Sequence, residues 1–88
     1  MPRSILNQYI DIVKALAENG PLSTHELAPF LEVNPSSLKE RVRFLTYQRA
    51  IRENRDKAIV TYSISKRGTE ILKFFKVQTL AKVAIDRN

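Results

Sequence analysis

The side chains best placed for chemistry in this sequence lie between Asn34 and Tyr47. In a helix, successive residues turn by about 100°, so the polar residues of this stretch fall on one face. They are Ser36, Ser37, Lys39, Glu40, Arg43 and Tyr47. Hydroxyls and long cations in this arrangement bind phosphates and the edges of bases. The plainer alternative is the solvated face of an ordinary amphipathic helix, and the stretch by itself is compatible with both.

The same stretch carries the signals of a helix start. Asn34 suits the N-cap position, and Pro35 suits the first helical position. Leu38, Val42 and Leu45 recur at helical spacing, so the opposite face is expected to pack on a core. A helix over about 35–48 is therefore predicted.

Residue sets typical of catalysis do not occur in the sequence. It contains no Cys, which excludes disulfides and thiolate metal sites. We find neither a pair of acid and base carboxylates, nor a nucleophile beside a base, nor a Gly-rich phosphate loop. The single histidine, His25, falls at the start of a predicted helix without a companion ligand and is interpreted as a surface residue. The prediction is a protein that is not an enzyme and uses no metal or cofactor.

The charge balance favours an anionic partner. The 88 residues carry a net charge of +6, with a sequence pI of about 10.0, and excess positive charge attracts nucleic acid or an anionic membrane surface. Between Lys39 and Lys57 there are seven Lys or Arg against three Asp or Glu, and this local excess is expected on the helix at about 35–48 and at the tip of the hairpin that follows it. No apolar run approaches membrane-spanning length and the N-terminus does not look like a signal peptide, so a cytoplasmic protein without membrane association is expected.

Two further helices precede the polar stretch. The first is predicted from Ser4 to Glu18, and its two apolar stripes indicate burial on more than one side, against the core or a partner chain. Leu22 is predicted to form a short bridging segment. Ser23 and Glu26 have the spacing of a capping box. The second helix contains Pro29, so it is expected to be short or bent.

A β-hairpin and a long helix follow the polar stretch. The hairpin is predicted from strands starting at Ala50 and Ala58, with a polar turn over 54–57 that carries Arg55 and Lys57 at its tip. Ser65 is the predicted cap of a final helix over about 66–86. The later turns of this helix extend past what a monomer supplies, and some residues keep roughly heptad spacing, so the end of the helix is expected to pair with a partner chain, the alternative being that it frays or folds back. The predicted dimerisation surface comprises Ile5, Tyr9, Phe74, Phe75, Gln78, Ala81 and Ile85.

The order of these elements predicts one α+β domain over residues 1–88. Two short helices joined by about three residues have the helix-turn-helix pattern. The stretch from Asn34 to Leu45, followed by Ala50-Ile51, resembles the recognition-helix signature of winged-helix transcription regulators. Val60 to Gly68 is similar to their second wing strand and its run into the final helix. The resemblance is to the small, stand-alone regulators of archaea and their viruses.

The resemblance implies a winged helix-turn-helix with three helices, a two-stranded wing and a long C-terminal helix. It further implies a homodimeric, sequence-specific regulator of transcription that binds double-stranded DNA. The helix at about 35–48 would enter the major groove, and the wing at about 53–58 would contact the adjacent minor groove or backbone. Such a protein would lie in the cytoplasm with the nucleoid or, if viral, in the host cytoplasm.

Two departures from this family pattern concern the DNA-facing side. Arg49 stands where such regulators usually have Gly, which implies a different turn or modest strain. Glu40 stands where a basic or polar base-reader is common, and it could pair with Arg41 or Arg43 instead of contacting DNA. Two other functions fit the same sequence, namely a sequence-tolerant architectural DNA-binding protein and a winged helix that binds another protein.

Overall fold

The computed structural model describes residues 5–31 and 33–75 of the chain, and its elements have the predicted order. The helices are α1 (Ile5–Asn19), α2 (Thr24–Leu27) with a 3-10 turn at Ala28–Phe30, α3 (Pro35–Tyr47) and α4, which is helical over 66–75. The strands are β1 (Ile51–Asp56) and β2 (Ile59–Ile64), which form an antiparallel hairpin. The predicted α+β winged helix-turn-helix is thus confirmed.

The helical ends confirm the predicted local signals. Ser23 and Glu26 form both hydrogen bonds of the capping box, at 3.1 and 3.0 Å. α2 ends after four residues and continues as the 3-10 turn around Pro29, because proline cannot donate the next helical hydrogen bond. Gly20 ends α1 with a φ of 78°, a conformation that glycine adopts without steric cost.

One core holds the helices and the base of the hairpin together. Its most deeply buried members are Ile12, Val13, Leu16, Leu27, Leu38, Val42 and Ile51. They come from α1, α2, α3 and β1, so the face of α3 that carries Leu38 and Val42 is fixed by packing. Leu72 of α4 is also buried. The opposite face of α3 is consequently directed toward solvent.

The hairpin is longer on its first strand than the sequence predicted. The turn predicted over 54–57 is wrong, because Asn54, Arg55 and Asp56 continue β1 and pair with Thr61, Val60 and Ile59. The loop consists of 57–58 only. These polar residues have weak strand propensity by themselves, and their cross-strand pairing outweighs it.

Two further contacts position the hairpin beside the helices. Leu22 forms the expected bridge, exchanging backbone hydrogen bonds of 3.0 and 2.7 Å with Tyr62. Tyr62 and Ile64 pack against the core. The bridge attaches the segment between α1 and α2 to the wing, which fixes the wing's position beside the helices.

Ser65 closes the junction of α3, β1 and α4. Its hydroxyl oxygen lies 2.6 Å from the carbonyl oxygen of Arg49 and 2.9 Å from that of Ala50, and it accepts a 3.0 Å hydrogen bond from the Gly68 amide. The last contact makes it the N-cap, as predicted. Gly68 packs so closely that a Cβ there would collide with the Ala50 carbonyl oxygen.

Candidate nucleic-acid interface

The N-terminal end of α3 is fixed by its own cap. The Asn34 side-chain oxygen accepts hydrogen bonds from the Ser37 amide at 2.9 Å and the Ser36 hydroxyl at 2.8 Å. Pro35 occupies the first turn, where the missing N–H costs nothing. Ser36 is exposed, but its hydroxyl hydrogen is used in the cap, which leaves its oxygen lone pairs for an external donor.

The middle of α3 presents its charged groups to solvent. Lys39, Glu40, Arg43 and Tyr47 are all exposed, and Tyr47 keeps 82% of its surface. The structure therefore brings these four predicted residues to one face. Ser37 is only half-buried and lies nearer to the core.

Arg41 anchors α3 to α1. Its Nε donates a 3.0 Å hydrogen bond to the Gln8 side-chain oxygen, and its guanidinium carbon lies 5.9 Å from the centre of the Tyr9 ring. That ring stacks on Phe44 at 4.7 Å. The Glu40 carboxylate approaches Arg41 to 3.7 Å, which is one of the two pairings considered from the sequence. Arg41 thus holds α3 in place, and the spacing of residues along the chain gave no indication of it.

A groove of about 480 Å³ separates α3 from the wing. We call it the α3–wing groove. Lys39 and Arg43 line it from α3, and Glu53 and Tyr62 line it from the hairpin. Its charged lining is therefore mixed, with two cations and one carboxylate.

Glu53 organises the hairpin side of this groove. Its carboxylate accepts a hydrogen bond from the Tyr62 hydroxyl at 3.3 Å and lies 3.5 Å from Nε of Arg55. Burial raises the pKa of Tyr62, and the negative charge of Glu53 raises that pKa further. Glu53 was not singled out from the sequence, because the register that places it opposite Tyr62 differs from the one implied by a turn over 54–57.

The two wing cations occupy different positions. Arg55 lies within β1 opposite Val60, beside Glu53, and not at the tip as predicted. Lys57 is in the loop, with a φ of 59°. The predicted pair of tip cations is therefore corrected to one, because β1 runs three residues further than the polar composition suggested.

A second groove of about 710 Å³ lies at the base of the wing. We call it the wing-base groove. Four exposed cations line it, namely Arg49, Arg52, Lys66 and Arg67. The sequence-based expectation that the local positive charge falls on α3 and the hairpin tip is thus wrong for Arg49 and Arg52. Arg49 leaves the helix with a φ of 63°, and Arg52 points to the opposite face of the hairpin from Glu53, since strand side chains alternate.

The predicted dimerisation residues fall partly within the described chain. Ile5 and Phe74 are exposed at 53% and 66%, whereas Tyr9 and Phe75 are half-buried. Gln78, Ala81 and Ile85 lie outside the described residues, as does Ser4. Dimerisation therefore stays a prediction.

Residues 5–31 and 33–75 contain no group of three or more His, Cys, Asp or Glu side chains that could hold a metal ion. None of the helices formed by these residues is long and apolar enough to cross a membrane.

A capped helix-turn-helix, an exposed third helix and a hairpin beside it define a winged-helix protein, and solved structures share this fold. A MarR family protein from Bacillus stearothermophilus matches with a TM-score of 0.78 and 19% identity. ZitR from Lactococcus lactis in its apo form matches at 0.76 and 17%. The transcriptional regulator BldR from Sulfolobus solfataricus matches at 0.72 and 24%. At these identities, the likeness establishes the fold.

The matches cover most of this chain but only part of each matched protein. They cover 96%, 94% and 92% of this chain, respectively. The chain spans only 59%, 64% and 58% of the matched structures. No protein-family profile matches the sequence, and no curated protein matches it. Because the matched structures come from bacteria as well as an archaeon, the archaeal or viral type stays a prediction.

Proposed function

We propose that the protein is a regulator of transcription that binds double-stranded DNA. The observation that carries this proposal is the exposed face of α3, where Lys39, Arg43 and Tyr47 stand beside the wing on a winged-helix scaffold. The proposal is supported by the match to a transcriptional regulator and by the net charge of +6. α3 enters the major groove, and the wing reaches the adjacent minor groove or backbone.

The side chains of this surface have distinct roles in the proposal. Arg43 reads a guanine through paired hydrogen bonds to O6 and N7, or clamps a phosphate. Lys39, the N-terminal serines of α3, Arg55 and Lys57 bind phosphates. Tyr47, exposed at 82%, makes apolar and hydrogen-bonding contacts in the groove.

The carboxylates favour a specific reader over an architectural protein. Glu40 and Glu53 stand beside the cations on the DNA-facing side, and each repels phosphates. A sequence-tolerant binder gains nothing from them, because its affinity comes from phosphate neutralisation. A specific reader uses them to reject wrong sequences, and Glu40 can accept a hydrogen bond from a cytosine amino group.

The regulator acts as a homodimer in this proposal. The exposed side chains of Ile5 and Phe74 supply part of the interface, together with the other predicted dimerisation residues. A two-fold dimer places two α3 helices on half-sites about 34–36 Å apart, one turn of the double helix.

Fluorescence anisotropy tests the DNA proposal. Duplexes obtained by selection from a random pool are compared with scrambled duplexes at several salt concentrations. We expect the selected duplex to bind at least 10³-fold more tightly than the scrambled one, as is typical of specific regulators. Equal affinity for all duplexes would reject the specific reader, and an absence of binding at low salt would reject DNA binding altogether.

Light scattering tests the dimer separately. The full chain is compared with a chain that ends at Val77. We expect the full chain to have the mass of a dimer and the shortened chain to have a lower mass. A monomeric full chain would show the dimer proposal to be wrong without affecting the DNA proposal.

A further inference from the structure

The wing-base groove gathers positive charge from three separate segments. Arg49 comes from the turn after α3, Arg52 from β1, and Lys66 and Arg67 from the first turn of α4. Of the acidic side chains that the structure describes, Glu53 alone lines the groove. Its carboxylate already faces Arg55 and Tyr62, so it offsets little of this charge.

Among residues 5–31 and 33–75, the four cations have no acidic partner of their own. Within the described chain, the ion pairs join Glu40 to Arg41 and Glu53 to Arg55. Like charges that converge on one concave surface repel each other, and a cleft lined by one sign attracts the opposite sign. The arrangement therefore costs stability in the isolated protein and is complementary to a polyanion.

The backbone beneath the groove is held by hydrogen bonds at Ser65 and is strained at Arg49. The buried Ser65 hydroxyl lies within hydrogen-bond distance of the Arg49 and Ala50 carbonyl oxygens, which share its single hydrogen. Arg49 keeps a φ of 63°, in the left-handed region that residues other than glycine adopt only with strain. Glycine would remove the strain, but it would also remove one of the four cations. Strain that is kept at a charged position points to a use for that charge.

We propose that the wing-base groove is a second phosphate-binding surface, which holds DNA backbone outside the segment read by α3. This inference rests on the proposed function. The guanidinium groups of Arg49, Arg52 and Arg67 suit phosphates because they donate paired hydrogen bonds. The phosphates belong either to the flanks of the same duplex or to a second duplex, and their chemistry is the same.

A pair of charge-matched variants tests the inference. Arg52→Gln/Arg67→Gln removes two cations from the groove. Lys14→Gln/Lys73→Gln removes two exposed cations from α1 and α4, away from the groove. Because both changes lower the net charge by two, any difference between the variants reports on position and not on total charge. Urea unfolding establishes that both variants fold.

The measurement is the slope of log Kd against log salt on a long duplex. We expect the groove variant to lose about 1–2 units of slope, since each phosphate contact contributes ~0.9. Its affinity at about 0.1 M salt should fall roughly eight- to sixty-fold by the same relation. Its preference for the selected sequence should stay unchanged. The control variant should keep its slope and stay within about twofold in affinity.

Two further binding experiments identify the source of the phosphates. A short duplex that covers only the α3 contact should show no defect for the groove variant if the phosphates come from duplex flanks. Capture of a labelled second duplex by a protein bound to an immobilised one should be lost in the variant if they come from a second duplex. Either result supports the inference.

The failures of the two proposals are distinguishable. If the unmodified protein binds DNA but both variants have the same slope and affinity, the second surface is wrong and the proposed function stands. If the unmodified protein binds no DNA at low salt, both are wrong.

Discussion

The two grooves beside the wing differ in how their charges are arranged. The α3–wing groove combines Lys39 and Arg43 with the Glu53 carboxylate and the Tyr62 hydroxyl. The wing-base groove has four cations, and Glu53 is also among its lining residues. The α3–wing groove therefore offers hydrogen-bond donors and acceptors and charges of both signs, whereas the wing-base groove is mostly positive.

This difference corresponds to two demands of DNA binding. Base edges present donors, acceptors and methyl groups in a defined pattern, so a reader needs mixed chemistry and loses affinity when the pattern is wrong. Phosphates are identical along the duplex and need only positive charge. We infer that the α3–wing groove determines specificity, and that the wing-base groove adds affinity.

Gly68→Ala should have the largest effect, because it disturbs the junction on which both grooves depend. The new Cβ meets the Ala50 carbonyl oxygen, a backbone atom that cannot move aside as a flexible side chain would. We expect the free energy of unfolding to fall by about 3 kcal/mol, at the upper end of overpacking effects. Urea unfolding measures it. Thr69→Ala, one residue further, is the comparison, and equal losses in the two variants would contradict the steric explanation.

Arg43→Gln should separate the two grooves most clearly. It removes the cation that we propose to contact a guanine. We expect the difference in binding free energy between the selected and the scrambled duplex to shrink by about 1–3 kcal/mol. The Arg52→Gln/Arg67→Gln variant should keep that ratio. Anisotropy on both duplexes gives the measurement. If Arg43→Gln weakens binding to both duplexes equally, Arg43 contacts a phosphate and the division of roles is wrong at this residue.

Glu53→Gln should make the α3–wing groove resemble the wing-base groove. The neutral amide no longer repels phosphates, so we expect tighter binding to scrambled DNA by roughly two- to tenfold, equivalent to about 0.4–1.4 kcal/mol, and a smaller preference for the selected duplex. The pKa of Tyr62 should fall toward 10.0, because the charge of Glu53 contributes to raising it. Absorbance titration of the tyrosines provides an independent readout. Glu70→Gln, at an exposed position on α4, is the control.

Arg49→Gly should have the smallest effect. It should raise the stability of the fold and weaken DNA binding. Relief of the positive φ gains about 1–2 kcal/mol, and the greater freedom of glycine in the unfolded chain removes about 0.5–1 kcal/mol. We expect a net gain of about 0.5–1 kcal/mol in urea unfolding, with a lower salt slope for DNA binding. Higher stability without a change in the salt slope would show that Arg49 does not contact a phosphate.

Local features of the fold were predictable because their causes lie close together in the sequence. The capping box of Ser23 and Glu26, the Asn34 cap and the Ser65 cap each join residues three positions apart. The hairpin itself was predicted from the β-branched residues of β2. Its loop was misplaced, because the pairing of Asn54, Arg55 and Asp56 depends on the partner strand.

The sequence by itself determined the order of elements and the exposed face of α3, since apolar spacing and capping act within a few residues along the chain. Only the tertiary structure decided that Arg41 anchors α3 through Gln8 and Tyr9, residues more than thirty positions earlier. It also decided that the charge divides between two grooves. Lys66 and Arg67 come close to Arg49 and Arg52 because the chain turns back along β2. No pattern of neighbouring residues in the sequence predicts that these four cations line one groove.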